Sequence, residues 1–231
     1  MIDNNELSGN VVDFYNNISK KYTESINRCV PYYTEMLESV FMYLPNDFKP
    51  SGILELGCGT GNLTEMICNK YPQAKITAID ISDECIGECK KRITSSNIDY
   101  IKCDFKDLDF PPNCFDLVVS SLSIHHIPAE EKQKLFKKLF LFQTTKAMFS
   151  FCDQCKGETD YIYKKNISEW KNFAFSQGSK QEEWDMWMSH QKEHDYHDTL
   201  SDHVLWLKNA GYKITDCTKK HLLWTSFYAE K

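Results

Sequence analysis

The sequence lacks an apolar run of roughly 18 residues, the length at which a membrane-spanning helix is suspected. The opening segment Met1–Asn10 is polar and acidic, and it contains no apolar stretch of the kind that a secretory signal needs. We therefore expect no membrane span, no leader and no membrane partner. These absences favour a cytoplasmic protein.

An excess of positive charge is also missing. The chain has 27 Lys and Arg against 33 Asp and Glu, for a formal net charge of -6. A surface of that sign repels phosphate backbones unless it carries a local basic patch. We expect no nucleic-acid partner.

The ten cysteines are scattered along the chain. Several of them, such as Cys58, Cys68 and Cys103, fall inside apolar runs, where a disulfide partner would have to lie close by chance. This usage favours a reducing compartment, in agreement with the cytoplasmic prediction.

Short β-type runs alternate with segments of helical periodicity, a pattern typical of crossover units and a parallel sheet. Two amphipathic helices, at 11–26 and 32–44, precede the first run. The closing runs 212–218 and 222–228 are close enough to predict an antiparallel hairpin at the sheet edge. The predicted central strands are 52–56, 75–80, 100–104, 115–120 and 146–152.

A glycine-rich turn follows the first strand, in the segment Glu55-Leu56-Gly57-Cys58-Gly59-Thr60-Gly61-Asn62. Such a turn lets the backbone approach a ligand closely. Asn62 stands where a dinucleotide fingerprint would place its last glycine, so the pattern disfavours a nicotinamide enzyme. Glu55 would offer a carboxylate to a cation rather than to a phosphate.

Further polar side chains come at the ends of the next predicted strands. Asp80 lies about 20 residues beyond the glycine turn, where an acidic residue can accept both hydroxyls of a ribose. Asp104 and Phe105 end the third strand, and His125 and His126 follow the fourth. Ligands of open α/β folds bind at this edge of the sheet.

The order of these four motifs resembles the class I S-adenosylmethionine-dependent methyltransferase family over roughly residues 50–152. The resemblance implies an α/β fold with a Rossmann-like, seven-stranded, mostly parallel sheet. Its last strand is antiparallel, helices cover both faces, and a helical lid precedes the core. It also implies S-adenosylmethionine as cofactor and S-adenosylhomocysteine as product.

The resemblance assigns a role to each motif residue. Asp80 would hold the ribose, Asp104 the exocyclic amine of the adenine, and Ile81 and Phe105 would pack beside that ring. Ser120 would lie near the amino acid end of the cofactor. The residues implied around its methionine part are Glu55, Gly57, Gly59 and Gly61.

The front of the chain adds a second likeness. Tyr15 and Tyr22 look like the aromatic pair of a helix that covers the cofactor in many small-molecule methyltransferases. The stretch from Arg28 to Tyr33 looks like part of the carboxy-S-adenosylmethionine synthases, which modify the cofactor itself. By that match Tyr33 and Arg28 would contact the methionine end of the cofactor or a carboxylate near it.

The sequence thus predicts one domain, 1–231, that methylates a small-molecule acceptor, with His125 or His126 as the base. A synthase-like enzyme and a non-catalytic cofactor-binding protein are the alternatives. A monomer and a homodimer are both compatible with the sequence. The predicted parts are a helical lid at 1–49, a cofactor-binding core at 50–152, a helical insertion over the acceptor site at 153–210 and a closing hairpin at 211–231.

Histidines and tryptophans crowd the segment after the fifth strand. His190, His194 and His197 have spacings that could place imidazoles on one helical face, but no thiolate or carboxylate set accompanies them at fixed spacing. We expect no metal site there, nor at the isolated pair Cys152 and Cys155. The expected role of Trp170, Trp184 and Trp187 is in the core of a helix pair, and the alternative is that at least one of them lines an acceptor pocket.

Overall fold

The computed structural model describes residues 4–231, with side chains from residue 11 onward. The prediction made for Met1–Asn10 concerns side chains that lie outside the described residues. Within the described part, no helix is both long and apolar enough to cross a membrane. All ten cysteines are free.

Seven strands form one sheet in the order β3-β2-β1-β4-β5-β7-β6. The first five are parallel, and β7 runs antiparallel to both of its neighbours. The predicted fold class, including the hairpin at the sheet edge, is confirmed. The strands are β1 (Gly52–Leu56), β2 (Lys75–Asp80), β3 (Ile98–Lys102), β4 (Phe115–Ser121), β5 (Gln143–Gln154), β6 (Ile214–His221) and β7 (Trp224–Glu230).

Nine helices accompany the sheet in the described part, and short 3₁₀ turns occupy Ser19–Lys21, Phe105–Asp107 and Ile124–His126. The helices are α1 (Asn4–Ile18), α2 (Tyr22–Cys29), α3 (Tyr33–Ser39), α4 (Asn62–Lys70), α5 (Asp83–Arg92), α6 (Ala129–Phe142), α7 (Asp160–Ser176), α8 (Gln181–His194) and α9 (Leu200–Ala210).

Local sequence sets several helix ends. The Ser82 hydroxyl accepts a hydrogen bond from Cys85 N and starts α5, and Thr199 forms a capping box with Asp202 at the start of α9. Gly211, at a φ of 116°, ends α9 in the left-handed region that glycine tolerates best.

The core lies on both faces of the sheet. Alternation along β1 sends Ile53 to one face and Leu54 and Leu56 to the other, and all three are fully buried. Residues of α2, α3, α4, α7 and α8 pack on the Ile53 face, whereas α6 and α9 pack on the opposite face. The predicted helices on both faces are therefore confirmed.

Trp170 and Trp184 belong to the core on the Ile53 face, and their ring centroids lie 4.9 Å apart. These two residues come from α7 and α8, so the core role predicted for them agrees with their position. The division of the chain into four functional parts stays a prediction.

Candidate active site

A cavity of about 500 Å³ opens at the carboxyl ends of β1 to β4. The glycine turn after β1 and the last residues of β2 and β4 form its floor, and α1 and α6 contribute to its walls. The position agrees with the rule that open α/β sheets bind ligands beyond the carboxyl ends of their strands.

The three glycines of the turn have positive φ values, 66° at Gly57, 51° at Gly59 and 92° at Gly61. A Cβ atom on Gly59 would meet nothing within 4 Å, so this part of the backbone faces open space in the cavity. A Cβ on Gly57 would lie 2.4 Å from Cβ of Ser123, and one on Gly61 would lie 2.8 Å from Sγ of Cys89. Gly59 therefore leaves room for a ligand, whereas the other two glycines allow close packing.

Three amides of this turn already have partners. Gly59 N donates to Asp80 Oδ2 at 2.8 Å, Cys58 N donates to Ile79 O at 2.9 Å, and Gly61 N donates to Cys58 O at 3.0 Å. A loop that holds a phosphate directs such amides at the anion. The hydrogen bonding therefore favours a ligand without a pyrophosphate at this turn.

Asp80 and Asp104 place two acidic side chains in the cavity wall. Asp80 also joins the turn to the end of β2, because its Oδ1 atom accepts a hydrogen bond from Ser82 N at 2.9 Å. Burial raises the pKa of Asp80. Asp104 Oδ1 accepts from Lys106 N at 3.1 Å, which orients this carboxylate at the 3₁₀ turn after β3.

Helices α1 and α2 cover the cavity with aromatic side chains, and both Tyr15 and Tyr22 line it. The Tyr15 hydroxyl lies 2.8 Å from His126 Nε2, which connects α1 to the end of β4. Ser82 Oγ donates to Asn16 Oδ1 at 2.7 Å and connects α1 to the start of α5. The first helix is thus held over the carboxyl edge of the sheet by polar contacts.

Most of the residues predicted to bind the cofactor line this one cavity. They are Tyr22, Tyr33, Gly57, Gly59, Asp80, Ile81, Asp104 and Phe105. Their role in binding stays a prediction, although the structure brings them together.

Four of the predicted cofactor residues do not line the cavity. Arg28 donates from Nε to Glu183 Oε2 at 3.0 Å, and it joins α2 to α8 instead. Ser120 is buried and donates from Oγ to Leu56 O at 2.9 Å. Gly61 packs against α5, as its contact with Cys89 shows.

Glu55 is the fourth. Its side chain lies on the Ile53 face of the sheet and is 0% exposed, so burial raises the pKa of Glu55 to about 8. Neither carboxylate oxygen has a hydrogen-bond partner in the described part of the chain. The buried Glu55 carboxyl group lies in the protein interior rather than in the cavity wall.

The two predicted catalytic histidines occupy different environments. His126 lines the cavity, whereas His125 is 3% exposed and does not. His125 Nδ1 donates to Asp153 Oδ1, and the backbone amide of His125 donates to Asp153 Oδ2 at 3.0 Å. The prediction that one of them deprotonates the acceptor stays a prediction, and only His126 reaches the cavity.

Both histidines belong to a larger group that we call the histidine cluster. Four imidazoles surround the carboxylate of Asp195, which directly follows α8, and the ring of His194 lies against that of His190. The members are His125, His126, His190, His194 and His197, with Asp195 among them. Three of these residues were singled out in the sequence by their spacing, but Asp195 was not.

Several side chains in the cavity wall were missed in the sequence. Lys134 and Lys138 lie one turn apart on α6, Ser123 follows β4, and Tyr196 comes from the loop after α8. The i, i+4 spacing of the two lysines after a predicted strand is a signal that could have been used. Tyr196 carries no such signal, because the hydrogen bond from Tyr196 N to His125 O, 2.7 Å long, joins distant parts of the sequence.

Comparison with known proteins shows that part of this chain is similar to methyltransferases. Residues 53–142 match the family model described as a methyltransferase domain. Over 89 residues the chain is 37% identical to the malonyl-[acyl-carrier protein] O-methyltransferase of Priestia megaterium, a match that covers 38% of this chain and 32% of that protein. The chain spans about a third or less of the length of the first curated relatives it matches.

A longer but weaker match joins the chain to the carboxy-S-adenosyl-L-methionine synthase of Campylobacter lari, at 21% identity over 95% of this chain and 94% of that protein. Among solved structures, it is similar to Haemonchus contortus phosphoethanolamine N-methyltransferase 2 in complex with phosphomonomethylethanolamine and S-adenosylhomocysteine. That match has a TM-score of 0.64 at 15% identity, and it covers 87% of this chain and 53% of the other. At that identity the likeness shows the fold alone.

Proposed function

Because the chain belongs to the class I S-adenosylmethionine-dependent methyltransferase family, we propose that it transfers a methyl group from S-adenosylmethionine to a small-molecule acceptor. One observation carries the proposal: Asp80, Asp104 and the open backbone at Gly59 meet in a single cavity. Carboxylates accept hydrogen bonds from ribose hydroxyls and from an exocyclic amine.

The residues around the cavity fit a nucleoside attached to a cation. Asp80 would accept the ribose hydroxyls, and Ile81 and Phe105 offer apolar surface to an adenine whose amine Asp104 would bind. Three amides at the glycine turn, those of Cys58, Gly59 and Gly61, are already hydrogen bonded, so they do not require a phosphate. This combination favours S-adenosylmethionine over a dinucleotide.

When bound, the cofactor supplies a methyl group on a positively charged sulfur, which an acceptor takes by in-line displacement. The chain would contribute chiefly by positioning the two reactants and excluding water. Tyr15 and Tyr22 cover the cavity from the N-terminal side. His194 and Tyr196 line the same cavity and offer polar groups that would orient the acceptor.

A synthase-like enzyme that modifies the cofactor is the second candidate, favoured by the match along nearly the whole length of the Campylobacter lari protein. Tyr33 lines the cavity as that activity would require, but Arg28 is held by Glu183 away from it. Mass spectrometry of extracted ligand separates the two candidates. A bound derivative heavier than S-adenosylmethionine would favour the synthase-like activity.

Two finer features belong to the proposal. The free cysteines favour a reducing compartment, and we propose a cytoplasmic location on that ground. The acceptor is proposed to be a small metabolite because helical residues cover the cavity from α1, α6 and α8.

The proposal is tested by thermal unfolding with S-adenosylhomocysteine. At a concentration 100 times Kd, a ligand stabilises the folded state by about 2.7 kcal/mol, which raises Tm by about 5–10 °C in a chain of this size. We expect Asp80→Ala to abolish the rise and Asp99→Ala, an exposed change on β3, to preserve it.

Asp80 also holds the glycine turn, so Asp80→Ala lowers Tm even without ligand. Gly59→Val serves as a second variant, because its side chain would project into the cavity. The positive φ of Gly59 also costs this variant stability, so for both variants the readout is the rise in Tm on adding ligand. A rise in Tm with NAD and none with S-adenosylhomocysteine would overturn the proposal. Consumption of S-adenosylmethionine with a metabolite extract then tests turnover.

A further inference from the structure

Asp195 lies at the centre of the histidine cluster, and several imidazole nitrogens point at its carboxylate. Its Oδ1 atom lies 3.1 Å from His126 Nδ1, 3.6 Å from His190 Nε2 and 3.7 Å from His125 Nε2. The other oxygen, Oδ2, lies 3.6 Å from His197 Nε2. Four nitrogens thus converge on one carboxylate whose side chain is only 3% exposed.

Most of these converging atoms make no hydrogen bond in the described part of the chain. Asp195 Oδ1, His126 Nδ1, His197 Nε2 and both nitrogens of His190 are buried, and none of them makes a hydrogen bond of good geometry. A buried polar atom without a partner usually costs about 1–3 kcal/mol. The imidazole nitrogens lie 3.1 to 3.7 Å from the Asp195 carboxylate. An ion bound between these atoms would therefore supply each of them with a partner.

In three of these imidazole rings, the second nitrogen, which does not face Asp195, contacts another polar group. His125 Nδ1 donates to Asp153, His126 Nε2 lies 2.8 Å from the Tyr15 hydroxyl, and His197 Nδ1 lies 2.9 Å from the Tyr163 hydroxyl. Histidines that bind metals characteristically have their second nitrogen fixed by a carboxylate or another polar group. For His125, the bond to ionised Asp153 places the proton on Nδ1 and leaves a lone pair on Nε2.

Space for an occupant lies beside these atoms. A small cavity of about 20 Å³ is lined by His125, His190 and Asp195, together with Gln154 and Trp187. Such a volume holds one water-sized particle. Gln154 Oε1 and Trp187 Nε1 are also buried without hydrogen-bond partners among the described residues.

We propose that the histidine cluster is a binding site for one divalent transition-metal ion, held by His125 Nε2, His126 Nδ1 and Asp195 Oδ1. These three atoms lie within 4.8 Å of one another. Tetrahedral ligands at about 2.0–2.1 Å from a metal lie about 3.3 Å apart, close to the two measured distances from Asp195 Oδ1, 3.1 and 3.7 Å. Two imidazoles and one carboxylate favour ions such as Zn²⁺, Fe²⁺ or Co²⁺ over Mg²⁺.

The sequence-based expectation of no metal rested on the lack of a carboxylate in register with the histidines. Asp195 supplies that carboxylate from the loop after α8, and the fold brings His125 and His126 to it from the end of β4. The site adjoins the larger cavity, because His126 and Tyr15 line that cavity as well. A metal there would leave open positions near the place proposed for the acceptor.

The test uses the full-length chain without an affinity tag, stripped with a chelator and titrated with Zn²⁺ by calorimetry, with metal content measured by mass spectrometry. We expect one Zn²⁺ per chain, and a loss of affinity of at least about 100-fold in Asp195→Asn and in His125→Gln. His221→Gln, a change outside the cluster on β6, should bind as the wild type does. An excess of Mg²⁺ should not displace Zn²⁺.

Two further measurements test the proposal if a variant of a metal-binding residue, Asp195→Asn or His125→Gln, fails to fold. Tyr15→Phe removes only the hydroxyl behind His126 and should weaken Zn²⁺ binding by about 10–100-fold. Co²⁺ bound to the wild type should give a visible absorption spectrum that Asp195→Asn lacks.

The proposal is overturned if the wild type binds no stoichiometric Zn²⁺, or if a folded Asp195→Asn binds it equally well. Its failure is distinguishable from failure of the proposed function, because the cofactor is tested with Asp80→Ala and S-adenosylhomocysteine.

Discussion

Glu55 gives the molecule a stability that depends on pH. Its pKa is about 8 in the folded chain because of burial, against an ordinary value of 4.5. A folded pKa above the unfolded one means that the stabilising contribution is complete below pH 4.5 and is lost as the pH rises towards 8. The free energy of unfolding should fall by up to about 1.4 kcal/mol per pH unit in that window from this residue alone.

Glu55→Gln should remove that dependence, so the variant gains stability relative to the wild type as the pH rises from 5 to 8. Urea unfolding at three pH values measures it. Glu38→Gln, an exposed change on α3, is the control and should follow the wild-type profile. Parallel profiles for Glu55→Gln and wild type would contradict the burial argument.

Gly57 and Gly59 have similar backbone conformations but should respond differently to alanine. Both have positive φ, which costs a residue with a side chain about 1–2 kcal/mol. Only Gly57→Ala also forces a clash with Ser123, which should add about 1–3 kcal/mol. Urea unfolding should show Gly57→Ala to be the less stable variant, and equal stabilities would contradict the packing seen at Ser123.

At the residue scale, the sequence was most informative where a side chain directly follows a strand. Asp80 and Asp104 were placed together correctly because neighbouring parallel strands end at one edge of the sheet. Arg28 was not placed correctly. Its partner Glu183 lies on a helix far away in the sequence, and no local sequence pattern predicts how that helix packs. Asp195 escaped notice for the same reason: its importance comes from histidines that meet it only after folding.

At the scale of elements, Lys132 ties α6 to the loop between α8 and α9. Its side chain is fully buried, and Nζ donates to Asp198 Oδ2 at 2.6 Å and to the carbonyl oxygen of Tyr196. Removing one partner of a buried ion pair costs about 3–5 kcal/mol, since the other charge is left uncompensated.

We therefore expect Lys132→Met to lower the free energy of unfolding by about 3–5 kcal/mol. Lys137→Met, an exposed change on the same helix, should be nearly neutral. Chemical unfolding at pH 7 measures both, and similar values for the two variants would show that the pair contributes little.

The observed strand boundaries agree with the predicted ones where an apolar run is clearly bounded by turn residues. The bounds of β1 and β2 agree with the prediction, because both strands are apolar runs between turn residues. Strand β3 ends at Lys102 rather than Asp104, since Asp104 caps the next 3₁₀ turn with its side chain. The helix pair predicted after β5 is present as α7 and α8, and Gly178, at a φ of 92°, lies in the break between them.

At the scale of the whole molecule, α1 closes the cavity by contacts with two separate parts of the core. Tyr15 reaches His126 after β4, and Asn16 reaches Ser82 after β2. A ligand in the cavity would add contacts to this helix and reduce its local opening.

Hydrogen exchange in the presence of S-adenosylhomocysteine should therefore slow at residues 11–18 and around the glycine turn. The hairpin of β6 and β7 lies on the far side of β5 and should exchange at an unchanged rate. Uniform protection of the whole chain, or none at α1, would contradict the covering role of that helix.

The region that matches the methyltransferase domain model ends at residue 142, before Asp153, His190 and Asp195. The cavity floor and Asp195 therefore belong to separate stretches of the sequence, and the histidine cluster joins them through His125 and His126. A protein engineer can change residues 190–197 and leave every residue that matches the domain model as it is.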